Sequence, residues 1–590
     1  MVGGVIHPLE PSRVRSKLTA VLLGTARALS TAVDVEKRVL PAVRRVPVSD
    51  RLGRFGRWLR VHVTDEWWIA VLAATLSIGA FVWYDAHGFT TAFNDAQIRE
   101  LIARRMVASR TPGLAQLGYT WLPIPSILML PLIWNDTLFR DGLAGSVPSM
   151  LAYVLASVYM YRIGRLITSS RGAGWVAAAV LMLNPSVLYM QSTAMSEILS
   201  VSAFVVAVYY ALRLTHTHHA TDIVRCAAAV AAGTLVRYEN WVLALALVPI
   251  LAYAAWRHRG RALAEAWTIL YGLLAFAGCA AWVLYNAVIF HDPLLSFFYG
   301  QSSHTYYAGA PDSWLPARHH ALLAFQMYGY TVVGTVGWLL TALALLGLIV
   351  FIWRARLRRA LLPAYLTLAP LGIYWLILYK GVNTENLTEL GQGLYYNIRF
   401  GLLMVPAAAL SLAFLTTAVP VSLRRAGVVV AMAVIALTSI LNSTLQTPYV
   451  LREALFGVGY AGTQTAQIEA QWLSSHYRGG NVLITYATDS GMVFYLLTDH
   501  QFPDRAFITD ANGSQFTDAL EDPEASVTWI VLASPPTDGS APSRIWTTLQ
   551  SREDWRHYFV LRHVFRTARD TTEIYERSAT TNRLTGASSR

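Results

Sequence analysis

The chain has 590 residues, 55% hydrophobic and only 14% charged, with a mean hydropathy of +0.40. A soluble protein of this size needs about a quarter of its residues charged to clothe its surface, so a purely water-soluble globule is excluded and lipid is the main solvent. The net charge of +12 is almost wholly arginine, gathered in short runs between apolar stretches, which fits cytoplasmic loops of a membrane protein better than a nucleic-acid partner.

From the N-terminus, residues 1–64 form a basic region (Arg13, Arg15, Lys17, Arg38, Arg44, Arg45, Arg51, Arg54, Arg57, Arg60) with no cleavable signal, read as a retained cytoplasmic tail. Its stretch 18–33 is either a helix on the anionic inner leaflet or a basic arm. Apolar runs then predict about eleven spans, near 67–84, 145–164, 174–191, 198–213, 224–237, 240–256, 265–289, 325–353, 361–379, 400–419 and 426–443. A further run, 121–134, is short and carries Pro123, Pro125 and Pro131. Keeping it outside, on the outer interface, places five arginine clusters on the cytoplasmic side: Arg162, Arg165 and Arg171; Arg213 and Arg225; Arg257, Arg259 and Arg261; Arg354, Arg356, Arg358 and Arg359; Arg424 and Arg425. Residues 65–445 are thus a transmembrane domain whose first extracytoplasmic loop, 85–147, is large. Residues 446–590 change character: short β-type runs at 482–486, 527–532, 558–565 and 573–575 alternate with a helical pattern at 464–477, separated by Gly479-Gly480, Asn512-Gly513 and Pro535-Pro536. They predict a small soluble α/β domain on the outer side. The two cysteines, Cys226 and Cys279, lie in apolar segments and build neither a disulfide framework nor a metal site.

Ionisable residues concentrate in the outer segments, which a scaffold does not require. Asn94-Asp95-Ala96 opens the first outer loop and leads into a helical pattern carrying Arg99, Arg104 and Arg105. Either Asn94 or Asp95 could simply cap that helix. A carboxylate at the membrane surface beside arginines could instead deprotonate a hydroxyl acceptor while the arginines hold a phosphate. Glu197 follows Asn184-Pro185 at the mouth of the next span, where a helix N-terminus favours an anion. Arg237, Tyr238 and Glu239 form a charged turn between two short apolar runs, either a self-neutralising pair or a basic site for a lipid phosphate. Tyr395, Tyr396 and Arg399 precede Val405-Pro406; Arg399 could snorkel to ordinary lipid phosphates or grip a bound lipid-linked donor. His291, Asp292 and His304, near Tyr299, have ligating side chains, but a turn with solvated histidines is the plainer reading. No cofactor is demanded by the pattern, and a divalent metal is left open.

As an ordered set, Asn94-Asp95-Ala96, Pro112-Gly113 to Trp121-Leu122-Pro123, Asn184-Pro185 to Glu197, Arg237-Tyr238-Glu239 and Arg399 resemble the GT-C superfamily of polyprenyl-phosphate-sugar-dependent glycosyltransferases. That superfamily includes protein mannosyltransferases, aminoarabinose transferases and arabinofuranosyltransferases, and the resemblance covers about 65–445. It implies a mostly α, polytopic bundle that moves a sugar from a polyprenyl phosphate to an extracytoplasmic acceptor (glycan, lipid or protein) with inversion. It further implies Asp95 as general base, Glu197 as second acid, and Arg399 and Arg237 on the phosphate. Ile98 and Arg99 depart from the polar pair usual after the first motif, which bears on acceptor class and metal dependence. A lipid-linked sugar flippase is the alternative, although no second copy of the motifs gives the pseudo-symmetric halves a transporter would show.

Overall fold

The computed structural model describes residues 64–298, 312–355, 361–444, 446–535, 542–552, 554–566 and 571–578. The expected cytoplasmic tail lies outside them, apart from Thr64, as do Tyr299 and His304.

The first helix, Asp65–Ala86, begins where Thr64 accepts a hydrogen bond from the Trp67 amide at 3.4 Å, and Asp65 and Glu66 complement its N-terminal dipole. Trp67 and Trp68 at one end and Trp83 at the other are about half exposed. Such indoles mark the two bilayer interfaces. Among the described residues eight helices are long and apolar enough to cross a membrane, or nine if a bent pair is one span. The chain is a multi-pass membrane protein.

Three of the eleven expected runs are not single long helices. Run 174–191 is broken: Arg171–Met182 ends, and Asn184 caps a separate short helix, Pro185–Met190, by accepting from the Val187 amide. Its residues from Val176 to Met182 are wholly buried, so neighbouring helices and not lipid surround it. Run 224–237 forms the fifteen-residue helix Ala220–Thr234. Run 325–353 turns by 108° between Ala321–Val336 and Trp338–Arg354, at Gly337 with φ 93°. Close packing sets the interior: a Cβ on Gly164 would stand 2.8 Å from that of Ala177, so only glycine lets Leu143–Thr168 meet Arg171–Met182 at this distance. The proline-containing run is the ten-residue helix Ile124–Ile133, about 15 Å long and about half the thickness of a bilayer core.

After the last apolar helix, Arg424–Thr444, come Tyr449–Phe456 and Val458–His476 and then a mixed sheet. Its strands are β1 (Val482–Leu483), β2 (Phe507–Ile508), β3 (Trp529–Ala533), β4 (Phe559–Arg566) and β5 (Thr571–Arg577), in the order β2-β1-β3-β5-β4. Strands β1, β2 and β3 are parallel; β5 runs antiparallel to β3, pairing Trp529 with Glu576 through Ala533 with Thr572. The expected α/β character is present. No expected run covers the two-residue β2; β1 is equally short but lies in the longer apolar run 482–486.

Candidate functional site

Segments far apart in the chain converge on one guanidinium. Helix Asn94–Ala108 has Phe93 at its N-cap and no side-chain cap bond, so neither Asn94 nor Asp95 acts as the cap. Asp95 Oδ2 instead accepts from Arg399 Nη2 at 2.7 Å. Arg399 Nε donates to Glu197 Oε1 at 3.2 Å and Nη1 donates to Glu453. Glu453 also accepts from the Asn397 amide at 2.9 Å and the Arg399 amide at 3.2 Å. Arg237 Nη1 reaches the same Glu197 Oε1 at 2.7 Å, and its Nη2 reaches Glu239 Oε1 at 2.8 Å. Tyr374 completes this side, its hydroxyl donating to Glu239 Oε1 at 2.7 Å.

Local structure explains the convergence. Glu197 is the first residue of helix Glu197–Thr217, where the helix dipole favours a negative charge. Arg399 lies in a 3-10 segment, Ile398–Met404, entered through Asn397 at φ 58°. Runs of this type longer than three or four residues are uncommon, and here the tighter winding holds Arg399 against both acids. All these charges are largely buried, and buried charges persist only when paired or used. One acceptor remains unused: among the described residues Glu197 Oε2 has no hydrogen-bond partner.

The three arginines that follow Asp95 have separate fates. Arg104 and Arg105 turn toward the C-terminal domain, Arg104 to Asp504 and Arg105 over the Tyr486 ring. Arg99 stays at the cluster, 6% exposed, with its guanidinium 4.1 Å from the centre of the Trp121 ring. Burial pulls it down to about 10, against the opposing pull of Glu197 and Asp95. Its Nε has no hydrogen-bond partner among the described residues. The buried donor and the buried acceptor in one cluster could serve an anionic group and a hydroxyl respectively. Behind the cluster, burial pushes the Glu385 carboxyl up to about 8; the Thr331 hydroxyl donates to it at 3.0 Å.

Of the residues singled out in the sequence, Asp95, Glu197, Arg237, Glu239 and Arg399 form this network, and Asn94 stands beside it in the same helical turn. Tyr238 turns away to accept from Trp282 Nε1 at 3.1 Å. The Tyr395 hydroxyl donates to Glu389 at 2.9 Å and not to the network. Tyr396 is held by a backbone bridge to Asn386 and lies near enough to Arg399 to act on its charge. His291 is an exposed turn residue at φ 60°, and Asp292 accepts from the Leu294 amide. Among the described residues no three His, Cys, Asp or Glu side chains are grouped to hold a metal ion. Glu453 and Tyr374 were missed. Glu453 sits in the unremarkable amphipathic segment YVLREALF, where nothing marks it as reaching Arg399, 54 residues earlier.

Residues 137–285 match the family model described as dolichyl-phosphate-mannose-protein mannosyltransferase. That match spans about a quarter of the chain. No curated protein sequence matches it. Among solved structures, ArnT from Cupriavidus metallidurans bound to undecaprenyl phosphate is similar at 14% identity and TM-score 0.49, covering 84% of this chain and 97% of that one. AglB, an oligosaccharyltransferase from Archaeoglobus fulgidus, in complex with an inhibitory peptide and a dolichol phosphate, is similar at 12% identity and TM-score 0.43, covering 80% of this chain and 70% of that one.

Proposed function

We propose that the enzyme transfers a sugar with inversion from a polyprenyl phosphate to an acceptor hydroxyl on the extracytoplasmic face. The observation that carries this reading is the Arg399 guanidinium, which touches Asp95, Glu197 and Glu453 together, with Arg99 and its unmatched donor alongside. Asp95 is the general base: its carboxylate takes the acceptor proton as the acceptor oxygen attacks the anomeric carbon. The bond from that carbon to the phosphate oxygen breaks, and Arg399, Arg237 and Arg99 stabilise the charge that grows on the phosphate. A dry site strengthens them. Glu197 and Glu453 hold the arginines in place. The carboxylates and guanidiniums nearly balance, so an incoming phosphate displaces a carboxylate from an arginine as it binds.

The five arginine clusters support an N-terminus in the cytoplasm, with the site, helix Ile124–Ile133 and the C-terminal domain outside. Neither the sugar nor the acceptor class follows from these residues. The test is transfer of radiolabelled sugar from polyprenyl-phosphate mannose and polyprenyl-phosphate arabinose by purified protein, wild type beside Asp95→Asn, with membrane extract as acceptor. Transfer by wild type alone supports the reading and names the donor. Equal transfer by Asp95→Asn sinks the assigned base, and donor bound but never transferred favours a flippase.

A further inference from the structure

Beyond helix Tyr449–Phe456, which packs on the core of the bundle, the C-terminal domain meets the helix that carries Asp95. In the open part of its sheet, β1 has parallel neighbours on both sides, β2 and β3. The crevice where such α/β sheets ordinarily take a ligand lies between the carboxyl ends of β1 and β3; the loops that follow β1 and β2 stand beside it and meet the Asp95 helix and the segment after it. Here Tyr486 follows β1 and Asp510 follows β2, and Asp510 Oδ1 accepts from the Tyr486 amide at 2.9 Å. The group presented to them is Arg105 of the Asp95 helix, its guanidinium 4.9 Å from the centre of the Tyr486 ring. Arg105 Nε donates to Gln116 O at 2.6 Å, and Gln116 Nε2 donates to Ala511 O, next to Asp510, at 2.9 Å. Asn512 adds a bond to Thr111 Oγ1 at 3.0 Å.

Arg104 makes the second hold. Its Nε and Nη2 donate to the two oxygens of Asp504 at 2.9 and 2.7 Å, a bidentate pair. The remaining donors go to Asp136 at 2.7 Å and to Ile133 O at 3.0 Å, so one side chain ties three parts of the outer face together. Nine residues separate Arg104 from Asp95, two and a half helical turns, so they point to opposite sides of the helix. The first turn is held as well. Gln97 Nε2 donates to the Tyr495 hydroxyl at 3.1 Å, and a Cβ on Gly459 would stand 3.8 Å from that of Asn94.

We propose that the C-terminal domain uses Asp504 and the loops after β1 and β2 to grip the chain's own Asp95 helix, with Arg104 and Arg105 as positioning residues that set where Asp95 stands relative to Arg399. The catalytic part of this inference rests on Asp95 being the base. The grip itself does not.

The grip is tested on the full-length protein in detergent. The pair Asn94→Cys and Gly459→Cys has the Cβ separation of an ordinary disulfide, about 3.8 Å, and is expected to cross-link on mild oxidation. Hydrogen exchange across residues 94–108 is expected to quicken roughly tenfold in Asp504→Asn and in Arg104→Lys. In both, kcat for sugar transfer falls roughly ten- to a hundredfold with KM for the lipid donor little changed, and Asp504→Glu restores much of it. A domain that merely kept the protein folded would lose kcat and donor binding together, with no rescue. Unchanged exchange in residues 94–108 of both variants overturns the grip. Quickened exchange with unchanged kcat overturns the positioning role. If Asp95→Asn proves fully active, the exchange and cross-linking results still decide the grip, because neither reads catalysis.

Discussion

Ion pairs gather at both ends of this bundle, and they are built differently. At the proposed cytoplasmic end, Asp65 pairs with Arg171 at 2.6 Å and Glu66 with Arg162 at 2.5 Å, and the Arg171 side chain is 73% exposed. Each carboxylate there is matched mainly to one arginine in reach of water. At the other end Arg399 is shared among three carboxylates, Glu197 is shared between two arginines, and the set is largely buried, with Asp95 the most open at 30% of its side chain. Partly exposed pairs of this kind are screened by solvent and contribute little to stability. A buried, shared network that leaves Arg99 Nε and Glu197 Oε2 unmatched costs free energy unless a ligand repays it. Sharing and burial, not the presence of ion pairs, distinguish a site from a topological signal.

Substitutions can break that contrast. The largest effect is expected at Asp95: Asp95→Asn lowers kcat for sugar transfer by about 10²–10⁴ while radiolabelled polyprenyl phosphate still binds. Next, Arg399→Lys replaces a fork that reaches three acids by a single ammonium. It is expected to reduce transfer about a hundredfold, and two lost charge-assisted bonds lower stability by roughly 2 kcal/mol, read as an earlier thermal unfolding transition in detergent.

A smaller effect sharpens the comparison from the side of the buried acids. The Glu385 carboxyl stands at about 8 in the fold because of burial, above the ordinary carboxylate range. Its protonated form is therefore favoured by folding, so the related stability is fully present on the acid side and is lost as the pH rises through about 8. Wild type is expected to lose up to roughly 1 kcal/mol per pH unit across that window relative to Glu385→Gln, measured by thermal unfolding of both proteins. A wild type whose pH slope equals that of Glu385→Gln would remove Glu385 as the source. At the opposite end Arg171→Ala should change neither transfer nor the unfolding transition measurably. Loss of transfer in that variant would erase the distinction between the two ends.

Much of this was legible along the chain. Charge deficit and hydropathy demanded a membrane bundle, and the spacing of apolar runs located the long helices to within a few residues. The motifs brought forward Asp95, Glu197, Arg237, Glu239 and Arg399, because a charge near the bilayer is costly wherever it stands and so announces itself locally. Run 174–191 shows the limit: a helix sealed by protein and one sealed by lipid have the same apolar composition, so periodicity does not reveal which is too short to cross.

What only the tertiary structure decided is which charges share partners. Asp95 admitted two readings in the sequence, helix cap or base; Phe93 holds the cap position and Arg399, 304 residues later, holds the carboxylate. Arg99, Arg104 and Arg105 are alike in sequence. Their 100° steps around one helix send one to the proposed donor site and two to the C-terminal domain. Glu453 and Asp504 carry no local signal at all, because their roles depend on long-range packing. Hydrophobic burial is a property of each segment and can be read there; ion-pair geometry belongs to pairs of segments, and only the folded chain brings them together.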